Sequence, residues 1–322
     1  MELKSINKNS WQPDRPTSKG ATAYHEAVVK ASWHQENING MIELLKSSFN
    51  EGQVLIDFGA GTGASAIYLL KVLPKTATLW LMDNSASWLG KAYEILHQDQ
   101  RVRFALLPKK GNGFTTPDEV IGTEATDYVI SANTVHLIKD LKQTFTGIYR
   151  VLKRTGSFTF QSGNITRAGR KPGVLMIDDT INQVHDLAID LIKTDRPYQK
   201  YRHDLKSRIK QETKQRRLIF PKPRSIELYK AKLKAAGFKK IRVTYKLIPI
   251  KYIDWLKFLR VRRLQAGILP EVGSREATLK AELDRDRLIT RAAKLWFNQL
   301  KQQNRLYRSS FMAEWIYVTA QK

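Results

Sequence analysis

The run from Val54 to Ala66, VLIDFGAGTGASA, constrains the fold more than any other stretch. A short apolar β-rich segment (Val54, Leu55, Ile56) reaches an acid, Asp57. Glycines then recur at alternate positions, Gly59, Gly61 and Gly63, with Ala60 between the first two, and small residues lead into a helical apolar pattern. This reads as strand, tight turn and helix start. Glycine adopts positive φ and lets backbone approach a ligand closely, and the helix start presents free N–H groups. Twenty residues after Gly63 a second strand, residues 78–82, ends at Asp83. An acid at that tip is placed to accept hydrogen bonds from ribose hydroxyls. The turn is G-x-G-x-G rather than the G-x-G-x-x-G of dinucleotide sites, so an NAD site is the weaker reading.

The periodicity continues this theme. Strands are expected at about 54–58, 78–82, 102–106, 127–132 and 157–161, with helical patterns at about 21–49, 64–73, 86–97 and 140–153. Strand and helix in alternation predict a doubly wound parallel sheet. Residues 225–238 read as a helix with Ser225 as N-cap and Gly237 near its end. Residues 240–248 and 311–319 read as strands.

On these residues the chain resembles the class I S-adenosylmethionine-dependent methyltransferases. DFGAGTG followed by MDNS matches the first two motifs of that family. DYVISANTVHLIKDLKQTFTGIYRVLKRTGSFTF, from Asp127 to Phe160, resembles its fourth strand, following helix and fifth strand. The resemblance implies an α/β fold, a Rossmann-like doubly wound sheet of about seven strands, with helical lid insertions after strand 5 and between strands 6 and 7. It implies S-adenosyl-L-methionine as cofactor, S-adenosyl-L-homocysteine as product, and no metal. Gly59, Ala60, Gly61 and Gly63 are then expected against the cofactor's methionine part, Asp57 near its amino group, and Asp83 on its ribose. Asn84 is the candidate for adenine, and Asn133 borders the cofactor's carbon chain. His136, just past the fourth strand, is the candidate general base, because an unperturbed imidazole titrates near neutrality, and Tyr24 is a second catalytic candidate. After Val102-Arg103-Phe104 the chain lacks the acid that in the family often holds adenine, so apolar packing must serve there.

Six segments follow from this reading: an arm (1–20), a cofactor-binding core with an N-terminal helix (21–163), a basic helical insertion (164–224), the core continued (225–248), a second helical insertion (249–309) and a final core strand (310–322). Charge divides along the same lines. The net +25 resides almost wholly in residues 151–322, which carry 39 Lys and Arg against 15 acids, while residues 51–150 carry ten of each. Such asymmetry suits an anionic partner. There is no cysteine, hence no thiolate nucleophile or disulfide, and the polar opening segment suggests a cytoplasmic protein.

The leading expectation is methyl transfer to a small-molecule acceptor, anionic or carboxylate-bearing, beneath the insertions. The Asp254-Trp255-Leu256 segment is loosely similar to methyltransferases acting on trans-aconitate and malonyl-carrier protein, which makes an acidic carrier protein a candidate partner. Methylation of RNA or an acidic protein is the alternative, with the basic stretch 193–224 tracking phosphates, and a non-catalytic cofactor-binding protein the second alternative. The mixed apolar and basic helix at 251–264 suits either a pocket lid or contact with a membrane surface. Oligomeric state is not legible.

Overall fold

A computed structural model describes residues 10–322 apart from 46–47, 112 and 275–277. Residues 1–9 of the expected arm lie outside the described residues. The rest of the arm is not loose: the Trp11 N–H donates to Phe104 O at 2.8 Å and Ser10 Oγ accepts from Phe104 N at 3.1 Å. These bonds cover an edge strand that would otherwise present unpaired backbone.

The expected helix over 21–49 is two helices, α1 (Lys19–Val29) and α2 (Ser32–Glu43), broken at Ala31, whose backbone is extended. The Tyr68 hydroxyl donates to Val29 O at 2.8 Å, satisfying a carbonyl freed by the break. Then follow β1 (Val54–Phe58), α3 (Ala66–Leu69), β2 (Thr78–Asp83), α4 (Ala86–Leu96), β3 (Val102–Leu106), α5 (Pro117–Ile121), β4 (Thr126–Ala132), α6 (Leu141–Val151) and β5 (Leu152–Ser162). Helix α3 is shorter than the pattern at 64–73 predicts and passes into turns before Pro74, which cannot continue a helix. The first insertion carries α7 (Ile177–Thr194) and α8 (Leu205–Ile219). The core resumes with α9 (Ile226–Ala235) and β6 (Lys239–Lys251). Ser225 Oγ accepts from Leu228 N at 3.4 Å to cap α9, and Gly237 follows its end with φ +105°. The second insertion carries α10 (Tyr252–Leu259), α11 (Arg262–Ile268) and α12 (Leu279–Gln302), and β7 (Ser310–Gln321) closes the sheet.

The seven strands run in the order β6-β7-β5-β4-β1-β2-β3. Strands β1 to β5 are mutually parallel, and β7 is antiparallel to both β5 and β6. This is the expected Rossmann-like doubly wound sheet. Strand order reverses between β1 and β4, the place where open α/β sheets bind ligands. Alternation divides each strand between two cores. Ile56, Trp80, Val129 and Phe158 pack on one face with Phe145 of α6 and Tyr229 of α9. Leu55, Leu79, Leu81 and Ile130 pack on the other with α1, α2 and the insertion helices.

The two insertions pack against each other. Trp296 Nε1 of α12 donates to Gln183 Oε1 of α7 at 2.7 Å, and the buried His185 of α7 lies 3.2 Å from Glu271, between α11 and α12. Within α10, Trp255, Phe258 and Leu259 are buried, so this helix spends its apolar face on the interior and Ile253 is its one well-exposed apolar side chain. The pocket-lid reading of 251–264 therefore accounts for its pattern better than a membrane-lying helix. Among the described residues no helix is long and apolar enough to cross a membrane.

Candidate functional site

The turn after β1 lies at the switch point, and its glycines serve three different ends. All three have positive φ: +73° at Gly59, +56° at Gly61 and +75° at Gly63. A Cβ on Gly59 would collide with the Thr134 side chain beyond β4. One on Gly63 would sit 3.0–3.1 Å from Leu96 and Ala92 of α4. Only Gly61 faces open space, where a Cβ would approach nothing nearer than Trp88 at 3.4 Å. The three glycines expected against the cofactor are thus placed differently. Gly59, Ala60 and Gly61 line the cavity described below, whereas Gly63 is a helix-packing glycine and does not.

Asp83 holds this turn from the tip of β2. Its Oδ2 accepts from Gly61 N and its Oδ1 from Ser85 N, both at 2.8 Å. Burial raises its pKa, against the pull of those N–H groups and of Arg263. Each carboxylate oxygen retains a lone pair for a vicinal diol. Asn84 beside it is exposed at the cavity rim.

Asp57 sits deeper. It is fully buried, and neither carboxylate oxygen has a hydrogen-bond partner. Burial, reinforced by the charge of Asp83, pushes its pKa up to about 7. It does not itself line the cavity, whose wall begins at Phe58 and Gly59. A buried carboxylate with no donor is costly unless a cation or donor meets it, which is what a cofactor ammonium, directly or through water, provides.

Across the switch point, Ser131 Oγ donates to Phe58 O at 2.7 Å and Thr134 Oγ1 to Gly59 O at 3.1 Å, tying the β4 loop to the glycine turn. Asn133 takes left-handed backbone with φ +52°. Its Oδ1 accepts from Trp315 Nε1 at 2.9 Å, which leaves its amide NH₂ as the donor group for the cavity it lines. His136 is half-buried, and its Nδ1 lies 2.9 Å from Ser162 Oγ. That hydroxyl oxygen also accepts from Asn164 N at 2.9 Å, and the direction of its bond to His136 follows the imidazole tautomer. Burial and then Arg224 lower the His136 pKa to about 3. A ring in that state is neutral and a poor proton acceptor, which weighs against the general-base expectation.

Helix α1 closes the near side. Its His25 Nδ1 lies 3.1 Å from Thr62 Oγ1 of the glycine turn. Tyr24 packs on Trp88 with ring centroids 4.3 Å apart, and burial pushes its pKa up to about 12, so it keeps its proton. The guanidinium of Arg263, delivered by α11, lies over the other partner of this pair, 4.9 Å from the Trp88 centroid.

These parts enclose one cavity of about 720 Å³. At one end lie Gly61, Asp83, Asn84, Trp88 and Arg263; at the other lie His136, Asn164, Asp178 and Phe220. Trp33, Trp255, Phe258 and Trp315 form an aromatic wall, with Trp33 stacked on Trp315 at 5.8 Å. Asp178 Oδ1 accepts from Arg217 Nη1 and its Oδ2 from Asn182 Nδ2, both at 2.7 Å, so its charge is matched. Sequence reasoning missed Trp88, Arg263, His34, Thr134, Asn164 and Asp178. Trp88 alone left a local trace, five residues past the ribose acid on the helix that follows it. Among the described residues no group of three or more His, Asp or Glu is placed to hold a metal ion.

The described residues fit S-adenosylmethionine: the open face at Gly61, the Asp83 carboxylate at the strand tip and the partnerless Asp57 supply what its backbone-facing edge, diol and ammonium require. Residues 56–158 match the model of a family described as a methyltransferase domain. No curated protein matches significantly in sequence. Among solved structures, Haemonchus contortus phosphoethanolamine N-methyltransferase 2 in complex with phosphomonomethylethanolamine and S-adenosylhomocysteine superposes with a TM-score of 0.50 at 17% identity, covering 94% of this chain and 57% of that one. The same enzyme with S-adenosyl-L-methionine gives 0.50 at 18%, covering 94% and 56%. The YcgJ protein from Bacillus subtilis gives 0.49 at 15%, covering 90% and 99%. The chain thus spans somewhat over half the length of the Haemonchus enzyme, and at these identities the likeness is one of fold.

Proposed function

We propose that this chain, a class I S-adenosylmethionine-dependent methyltransferase, passes the cofactor's methyl group to a small anionic acceptor held beneath its two helical insertions. The observation that carries this reading is the continuity of the cavity. One cavity is lined both by Asp83 and by His136, Asn164 and Asp178, and both insertions contribute to its walls. An aromatic-walled cleft of this size suits a small molecule.

The bound cofactor supplies a methyl group on a sulfonium, already activated for in-line displacement. What remains for the chain is alignment and exclusion of water. Asp83 and the Gly61 backbone hold the ribose end, and the carboxylate of Asp57 offsets the ammonium. Asn133, locked by Trp315, offers its amide donors beside the transfer line. In this reading neutral His136 carries its proton on Nε2 and donates it in a hydrogen bond to an acceptor bearing a carboxylate or another anionic oxygen. An ionised carboxylate needs no base. The test is transfer of labelled methyl to cell extract sorted into small-molecule, nucleic-acid and protein pools. Label in the small-molecule pools is expected, and label confined to RNA or protein would overturn the acceptor class.

One observation favours a second reading. On α8, the exposed Lys206, Lys210 and Lys214 fall at i, i+4 and i+8, a stripe of cations along one face. Such a stripe suits RNA or an acidic protein, carrier proteins included, and predicts a complex that weakens steeply with salt.

A further inference from the structure

A second depression of about 450 Å³ is lined by Lys139, Asp140, Leu141, Lys142, Arg224, Leu228 and Lys232. It brings together the loop before α6, the residue that ends the basic insertion, and α9. Four cations face one acid. Asp140 is already engaged as the N-cap of α6, accepting from Gln143 N at 2.9 Å. Among the described residues, Lys139, Lys142 and Lys232 have no carboxylate within ion-pair distance. Arg224 is held in place rather than free: its Nη2 donates to His136 O at 3.0 Å and Val135 O at 3.3 Å, and its guanidinium lies 5.2 Å from the Tyr229 ring. The positive end of α6 adds to the same field.

The two spaces adjoin the same segment, since Lys139 and Asp140 line both. Like charges gathered in one concavity repel, and that repulsion is relieved by an anion with several acceptor oxygens. We infer that this depression is a phosphate-binding subsite, and that the acceptor is a phosphorylated small molecule whose phosphate rests there while its methylated end lies in the main cavity. This rests on the methyl-transfer reading of that cavity for its purpose, but not for its test.

The probe is inorganic phosphate, titrated into the cofactor-free chain and followed by ³¹P line broadening, with the double variant Lys142→Glu, Lys232→Glu beside the wild type. Both substituted side chains lie outside the cofactor end. Saturable binding is expected, weakened at least tenfold in the variant, while affinity for S-adenosylmethionine changes less than twofold. Binding that is unsaturable, or equal in wild type and variant, would overturn the subsite. A single-stranded oligonucleotide that displaces phosphate at far lower concentration, through the same two lysines, would overturn the small-acceptor form. None of these outcomes depends on turnover, so failure of the subsite is distinguishable from failure of the acceptor assignment, which the labelled-methyl partition reads.

Discussion

Replacing Asp57 by Asn separates the stability of this fold from its function. In the cofactor-free chain the carboxyl titrates at about 7 instead of its ordinary 3.8, chiefly because it is buried and secondarily because Asp83 is near. Between those two values the folded chain keeps a proton that the unfolded chain has lost. Stability therefore falls as pH rises through that window and levels off above pH 7. At about 1.36 kcal/mol per unit, the penalty is roughly 2 kcal/mol near pH 5.5 and roughly 4 kcal/mol above pH 7. Asparagine carries no such penalty. The Tm of Asp57→Asn relative to wild type should therefore rise by about 4 °C between pH 5.5 and pH 8.5, at roughly 2 °C per kcal/mol for a chain this large. Cofactor binding should move the other way. An ammonium near Asp57 stabilises the carboxylate, so wild type releases a proton on binding near neutral pH, while the variant binds weakly and releases none there. Thermal unfolding at both pH values, with calorimetric titration in two buffers of different ionisation enthalpy, reads both effects. A Tm difference independent of pH, or binding by wild type with no proton exchange, would refute the reasoning.

The other expectations are simpler. Asp83→Ala removes the carboxylate proposed to hold the ribose hydroxyls together with its bonds to Gly61 N and Ser85 N, and cofactor affinity in a filter or calorimetric assay should fall at least 100-fold, about 3 kcal/mol. Gly59→Ala and Gly61→Ala should part company. The first drives a methyl into Thr134 at positive φ and should lower Tm by several degrees. The second bears mainly the left-handed backbone cost of about 1–2 kcal/mol and shows its larger effect in cofactor affinity. Because His136 stays neutral, the pH profile of kcat in the ternary complex should show no inflection from it between pH 5 and 8, and His136→Asn should leave the profile's shape unchanged while lowering its height; an inflection abolished by that substitution would restore the general-base role. Arg263→Ala removes the cation over Trp88, worth roughly 1 kcal/mol, and should raise cofactor dissociation several-fold in stopped-flow fluorescence of that tryptophan.

Much of the core was legible because its signals are local. The β1 turn, the acid at the tip of β2 and the alternation of strand and helix follow from backbone preferences that each residue and its near neighbours impose, and all stand where the pattern places them. The two insertions were likewise visible as breaks in the strand rhythm. The helix break at Ala31 was not, since it is sustained by Tyr68, nearly forty residues away. The same limit applied within the site. Three glycines in one turn look alike in sequence, and only Thr134, Trp88 and α4 divide them into a packing contact, a ligand face and a helix contact. The neutral state of His136 depends on burial and on Arg224, 88 residues further along the chain. The basic depression is built from segments equally far apart. The sequence by itself determined where the chain turns and which acids stand at strand ends, because φ, ψ and hydrophobic period are local properties. Only the tertiary structure decided which of those groups are desolvated, matched or left without a partner, because dielectric and contact are properties of what distant segments bring together.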